Sequence, residues 1–198
     1  KIAKLLLERG ANIHTEYQLQ GGGTLLHWTA SRGYLDIVEL LLTRGANIEA
    51  DTGFGATSLY WAASNGYLER VKLLLDYGAN IEAQTEDGAT PLYWAAYYGY
   101  TEVVRLLVER GANVNIVSQS RLWRTPLHWV AYRGYLDIIK LLLEHGANIE
   151  AETEEGVTPL HDATSDPLAV KLLLDCGAYI EAQTHSGATP LYCAAFKG

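Results

Sequence analysis

The sequence predicts an all-α solenoid of stacked helix–turn–helix units carrying projecting, β-hairpin-like fingers, in a single domain over residues 1–198. Three observations predict it. A Thr-x-Leu-His/Tyr tetrad opens at Thr24, Thr57, Thr90, Thr125, Thr158 and Thr189, at intervals of 33, 33, 35, 33 and 31 residues by difference. A Gly-Ala pair answers it at Gly10, Gly45, Gly78, Gly111, Gly146 and Gly177. Between the two, apolar residues recur at helical spacing, as at Leu68, Val71, Leu74 and Leu75. A fixed period in this range marks supersecondary units, none of which buries its apolar face alone.

Residues 1–23 supply a second helix and a long finger with no first helix before them. Full units follow at 24–56, 57–89, 90–124, 125–157 and 158–188. Residues 189–198 give a first helix with no second helix after it. The chain contains no Met and opens in mid-helix, so it reads as a segment of a longer array, monomeric within its parent chain. On that reading Leu191, Cys193 and Phe196 sit at an exposed end.

The unit at 57–89 shows how each element arises. The Thr57 hydroxyl caps a helix start by accepting from an orphan backbone N–H. In later units Pro91, Pro126, Pro159 and Pro190 follow the Thr, pre-set for the first helical position. The short first helix carries Leu59, Tyr60, Trp61 and the Ala62-Ala63 pair, and stops near Asn65-Gly66. The small Ala pair lets first helices approach closely, which puts them on the concave side. The second helix, 67–77, buries its leucine face and leaves Glu69, Arg70, Lys72 and Asp76 mostly to solvent. Gly78 ends it in the left-handed conformation. Residues 79–89 form the finger, with its turn at Glu86-Asp87-Gly88.

Function is sought where the pattern breaks. The fingers from Gly10 to Thr24 and from Gly111 to Thr125 span 14 positions, against 12 in the other four. Insertions in repeat proteins fall on one face, often the binding face. The first long finger carries Tyr17, Gln18, Leu19, Gln20 and Gly21 to Gly23. The second carries Gln119, Ser120, Arg121, Leu122, Trp123 and Arg124, with Trp123 where the other turns have Gly55, Gly88, Gly156 and Gly187. The unit from Thr158 is two residues short: Thr164-Ser165-Asp166-Pro167 replaces the usual Gly-Tyr-Leu joint, with Asp166 capping and Pro167 opening the second helix. This unit is expected to be the weakest. Residues 83–96 and 182–195 are identical except at Glu86/His185, Asp87/Ser186 and Trp94/Cys193, so two of three differences fall at a finger tip.

Composition excludes several classes. A formal net charge of −8 opposes the phosphate contacts that drive nucleic-acid binding. No window approaches the roughly 18 apolar residues of a membrane span. The two cysteines, Cys176 and Cys193, replace other residues of the repeat and suggest no disulfide scaffold. With no signal peptide or Asn-x-Ser/Thr acceptor visible, an intracellular location is expected, cytoplasmic or nuclear. His27, His128 and His161 share one register with Tyr60, Tyr93 and Tyr192, which replace them in other units, and this suits a structural polar role and not a metal. No phosphate loop, dinucleotide fingerprint or catalytic constellation is present. A non-enzymatic chain without cofactor or metal is expected.

The Thr-Pro-Leu-His/Tyr cores and the Gly-Ala-Asn helix ends make the whole chain resemble the ankyrin-repeat family. The resemblance implies a protein–protein interaction scaffold that grips its partner by finger tips and by first-helix positions after the Ala pair. Carried onto this chain, the helix positions are Ser31, Arg32, Ser64, Asn65, Tyr97, Tyr98, Tyr132 and Arg133. The tips are Gly53, Phe54, Glu86, Asp87, residues 119–124, Glu154, Glu155, His185 and Ser186. The central partner-binding set is Phe54, Glu86, Asp87, Tyr97, Tyr98, Arg121, Leu122, Trp123, Arg124, Tyr132, Arg133, Glu154 and Glu155. It is rich in the aromatic and Arg types that dominate interfaces, and its acidic tips suit a partner with a basic rim. Two other roles are implied: a regulatory array in a multidomain signalling protein, or a methyl-lysine reader whose cage combines Trp94, Trp123 and Trp129. The family's acid position in that cage is held here by Tyr97 or Tyr132.

Overall fold

A computed structural model describes residues 2–14, 22–119 and 123–197. Among them the chain forms α1 (Ile2–Glu8), α2 (Leu25–Arg32), α3 (Leu35–Thr43), α4 (Ser58–Ser64), α5 (Leu68–Asp76) and α6 (Pro91–Tyr98). It continues through α7 (Thr101–Glu109), α8 (Pro126–Arg133), α9 (Leu136–Glu144), α10 (Pro159–Asp162), α11 (Pro167–Asp175) and α12 (Pro190–Lys197). First helices α2, α4, α6, α8 and α10 pack in sequence, and second helices α3, α5, α7, α9 and α11 form a looser row behind them. The close side is the one with Ala30, Ala62, Ala63, Ala95, Ala96 and Ala131, all fully buried. One apolar cluster runs the length of the stack, from Leu7 and Leu26 to Leu173 and Ala178. Each unit thus buries its leucines on its neighbours.

Two capping schemes start the first helices. In the tyrosine units Thr57 and Thr90 each accept from the backbone N–H three residues on, at 3.3 Å. In the histidine units the ring of His27, His128 or His161 turns back, and its Nδ1 accepts from the Thr N–H at 2.9, 3.1 and 3.1 Å. The other ring nitrogen reaches a carbonyl of the following finger: Ala50, Val157 or Ala188, at 2.9, 2.9 and 3.1 Å. A carbonyl only accepts, so Nε2 carries the proton and Nδ1 must stay bare. These bonds therefore require neutral rings. For His128, burial is the main cause of a pKa held below the ordinary value near 6.5. Its contribution to stability is complete above that value and is lost as pH falls toward the depressed folded value. Melting from pH 7 to pH 5 should show a shallower decline in His128→Gln than in the wild type; equal slopes would remove His128 from the account.

Ser58 interrupts the Thr-Pro pattern. It sits at the first position of α4, fully buried, and its hydroxyl has no hydrogen-bond partner. Thr57 before it is extended (φ −84°, ψ 171°), the conformation a proline requires of its predecessor. Ser58→Pro should therefore stabilise the array by about 1 kcal/mol, removing an unsatisfied hydroxyl and unfolded-chain entropy together. Chemical denaturation checks this; a lowered midpoint would refute it.

The fingers are hairpin-like turns without extended strands among the described residues. Bonds such as Thr52 N–H to Ala56 O and Thr85 N–H to Ala89 O, both 3.0 Å, close them. Bridges pair Asp51 with Thr57 and Ser118 with Arg124. A second line of bonds joins the units near their Gly-Ala ends. Carboxylates of Glu49, Glu82 and Glu150 accept from Asn80, Asn113 and Tyr179 N–H at 2.7, 2.6 and 2.7 Å, and Asn115 Oδ1 serves Asn148 N–H at 2.7 Å.

At the joints between first and second helices, the ring of Tyr100 seats on Gly66 and that of Tyr135 on Gly99. The short unit replaces this ring with Asp166, which lies against Gly134 and caps α11 by accepting from Leu168 N–H at 2.9 Å. Its first helix is reduced to α10 and a 3-10 turn at Ala163–Ser165. α11 buries only Ala169 and Leu173, where α7 buries Val103, Val104, Leu107 and Val108.

Candidate protein-recognition surface

The register that carries a Trp after the first four tetrads, together with the tyrosines one turn later, builds an aromatic strip across α4, α6 and α8. Trp94 lies near its middle, 9% exposed. Tyr98 stacks on it at 5.8 Å, while Tyr60, Tyr93 and Tyr97 meet it edge-on at 5.4 to 6.1 Å. Tyr97 bridges to Trp129 at 4.8 Å, and Trp129 leads on to Tyr132 at 6.3 Å. The Trp129 indole N–H donates to the buried Tyr93 hydroxyl at 2.6 Å, tying two units together. Tyr98 and Tyr132 present themselves outward, 48% and 49% exposed. The exposed guanidinium of Arg133 covers Tyr97 at 5.2 Å, an attraction of charge to ring face. The structure thus brings Tyr97, Tyr98, Tyr132 and Arg133 into one patch around Trp94 and Trp129.

The tips flank this patch. Phe54 is 61% exposed, and Glu86 N–H donates to the Phe54 carbonyl at 3.1 Å, which sets the two tips side by side. Asp87 is half-buried: its carboxylate accepts from Thr85 Oγ, and its carbonyl accepts from Ser118 Oγ and Gln119 N–H. Glu154 and Glu155 are exposed, and their tip bonds onward to the next finger through His185 N–H and Glu155 O. Arg121 and Leu122, like Tyr17 to Gly21 of the first long finger, lie outside the described residues.

The second long finger differs from the expectation in one respect. Arg124 is drawn inward instead of being offered to a partner. Its Nε donates to Asp162 Oδ2 at 3.0 Å and its Nη2 to Asp162 Oδ1 at 2.8 Å, while the guanidinium lies 5.0 Å above the Trp129 ring. The side chains are 18% and 8% exposed, so the ion pair is largely withdrawn from water. Asp162 escaped the sequence reading, although a signal existed. It stands in the register of Trp28, Trp61, Trp94 and Trp129, and Arg124 stands where Gly23, Ala56, Ala89, Val157 and Ala188 are small. The two exceptions answer each other.

Of the rings in the cage implied by the resemblance, Trp94 packs among its own tyrosines and Trp129 lies beneath the Arg124 guanidinium. Trp123 is 36% exposed, with φ at +56°. That left-handed conformation strains any residue but glycine by about 1–2 kcal/mol. Trp123→Gly, restoring the residue of the other turns, should raise the melting temperature; a fall would mean the indole packs more usefully than its backbone costs.

The tetrad histidines are occupied by their capping bonds, and no cluster of His, Cys, Asp or Glu among the described residues has the makings of a metal site. Nor is any described helix long and apolar enough to cross a membrane. A family model described as "Ankyrin repeats" matches in three copies, over residues 1–85, 26–118 and 116–184. A shorter similarity links the chain to an Arabidopsis thaliana protein named "Putative E3 ubiquitin-protein ligase XBAT34", 48% identical over 46 residues. That match covers 23% of this chain and spans only 12% of the plant protein's length. Capped first helices, buried Ala pairs, finger turns and three tandem matches across most of the sequence agree: the chain belongs to the ankyrin-repeat family.

Proposed function

We propose that the chain is a non-enzymatic recognition module that binds a protein partner through the first-helix face and the adjoining finger tips. Ankyrin repeats generally mediate protein–protein interactions. The observation that carries the finer reading is the aromatic patch, where Tyr98, Tyr132 and Arg133 stand exposed on a rigid bed of packed rings. Preformed helices lose little entropy on association, so a few such anchors supply affinity. The exposed carboxylates of Glu86, Glu154 and Glu155 favour a partner with basic residues around an apolar centre. The similarity to the plant ligase extends over little more than one repeat, so it supports the shared framework and no ligase chemistry.

Site-specific photocrosslinking tests this. Benzoylphenylalanine placed in the chain at Tyr98 or Phe54, in cells that express it, should give a discrete protein adduct. The same group at the exposed outer-face Lys72 should give none. Adducts from Lys72 alone would move recognition to the second-helix face.

A further inference from the structure

The groove that Arg124 fills has a counterpart two units earlier, where the arginine is missing. Ala56 precedes Thr57 as Arg124 precedes Thr125. With only a methyl group there, the space between finger and first helix stays open as a cleft of about 310 Å³, lined by Phe54, Ala56, Trp61, Glu86, Asp87 and Trp94. Trp61 stands in the register of Trp129, the ring beneath the Arg124 guanidinium. Trp94 holds the register of Asp162, and the acid comes instead from the next finger. The bond from Glu86 N–H to Phe54 O fixes the Glu86 tip beside the exposed Phe54 ring. Among the described residues no cation pairs with the Glu86 carboxylate.

We propose that this cleft binds an arginine side chain of a protein partner, delivered in trans to the station that Arg124 occupies in cis. The inference rests on the recognition reading above and names the chemistry of one anchor. A guanidinium is planar and weakly hydrated; it stacks on aromatic faces while donating to a carboxylate. The cleft supplies both: an aromatic wall at Trp61 and Phe54, and an acidic lip at Glu86. An acidic or phosphorylated side chain would be repelled by that lip, and a neutral apolar one would partly desolvate the carboxylate with no return. The net charge of −8 steers basic segments toward the surface.

The test is a titration of the ¹⁵N-labelled chain with N-acetyl-arginine amide and, in parallel, N-acetyl-citrulline amide, which keeps size and planarity but drops the charge. The arginine compound should give saturable shifts at the Trp61 indole and the Glu86 amide, and the citrulline compound should bind about tenfold more weakly. Glu86→Gln should weaken arginine binding by a similar factor. Ala56→Arg should abolish it by filling the cleft in cis; if that variant fails to fold, Glu86→Gln still decides. Equal binding of citrulline, absence of arginine-induced shifts at Trp61, or undiminished binding in Glu86→Gln would overturn the proposal. Cross-links from Tyr98 without arginine binding sink the arginine site alone. Loss of those cross-links sinks the reading beneath it.

Discussion

Asp162→Ala should destabilise the array by about 3 kcal/mol, because it strands a largely buried guanidinium. Arg124 makes two charge-assisted bonds to Asp162, at 3.0 and 2.8 Å, with side-chain exposures of 18% and 8%. Without the carboxylate, Arg124 keeps only the Trp129 face, and its Nε and Nη2 donors lose their partners. Arg124→Ala should cost a comparable amount for the reciprocal reason. Most of either loss is the penalty on the group left behind, not the worth of the pair. Arg124→Met/Asp162→Leu should therefore lose less than either single change. Amide exchange in α8 and α10 reads this locally, which matters in a repeat array whose unfolding need not be two-state. A double variant as damaging as either single would show the pair itself to be the main contributor, and losses that simply add would show Arg124 and Asp162 to be uncoupled.

Gly99→Ala should cost about 2–4 kcal/mol, from two sources that a control separates. Gly99 closes α6 at φ +80°, and a Cβ there would stand 2.7 Å from the Tyr135 ring. Gly78 has φ +88° with nothing within 4 Å of a built Cβ. Gly78→Ala should then show the backbone penalty alone, about 1 kcal/mol. The difference in denaturation midpoint between the two variants reports the ring contact. Equal losses would mean that Tyr135 gives way freely and does not hold the joint between neighbouring units.

Periodic features of the fold were legible in the sequence because each rests on local chemistry. Thr caps, Pro at the first helical position, Ala pairs and Gly helix ends all act within a few residues, so their recurrence reads directly as structure. Asp166 and Pro167 were readable for the same reason. The parts that escaped depend on partners one unit away. The Arg124–Asp162 pair spans 38 positions and the Trp129–Tyr93 bond 36, and neither follows from a residue's own neighbours. Arg124 looked like a surface anchor because its finger is long; only the register of Asp162 reveals where it turns. The candidate site divides in the same way. Tyr98, Tyr132 and Phe54 follow from position in the repeat, whereas the cleft beside Ala56 needs the neighbouring finger to exist at all.

The carboxylates that join unit to unit change the meaning of the protein's acidity. Glu49, Glu82 and Glu150 each commit an oxygen to a backbone N–H of the following unit. The neutral Asn115 does the same work for Asn148 N–H. Part of the net charge of −8 is thus mortar, set by the need for a strong acceptor at these seams. Glu86 and Glu154, exposed at the finger tips, stand outside those seams.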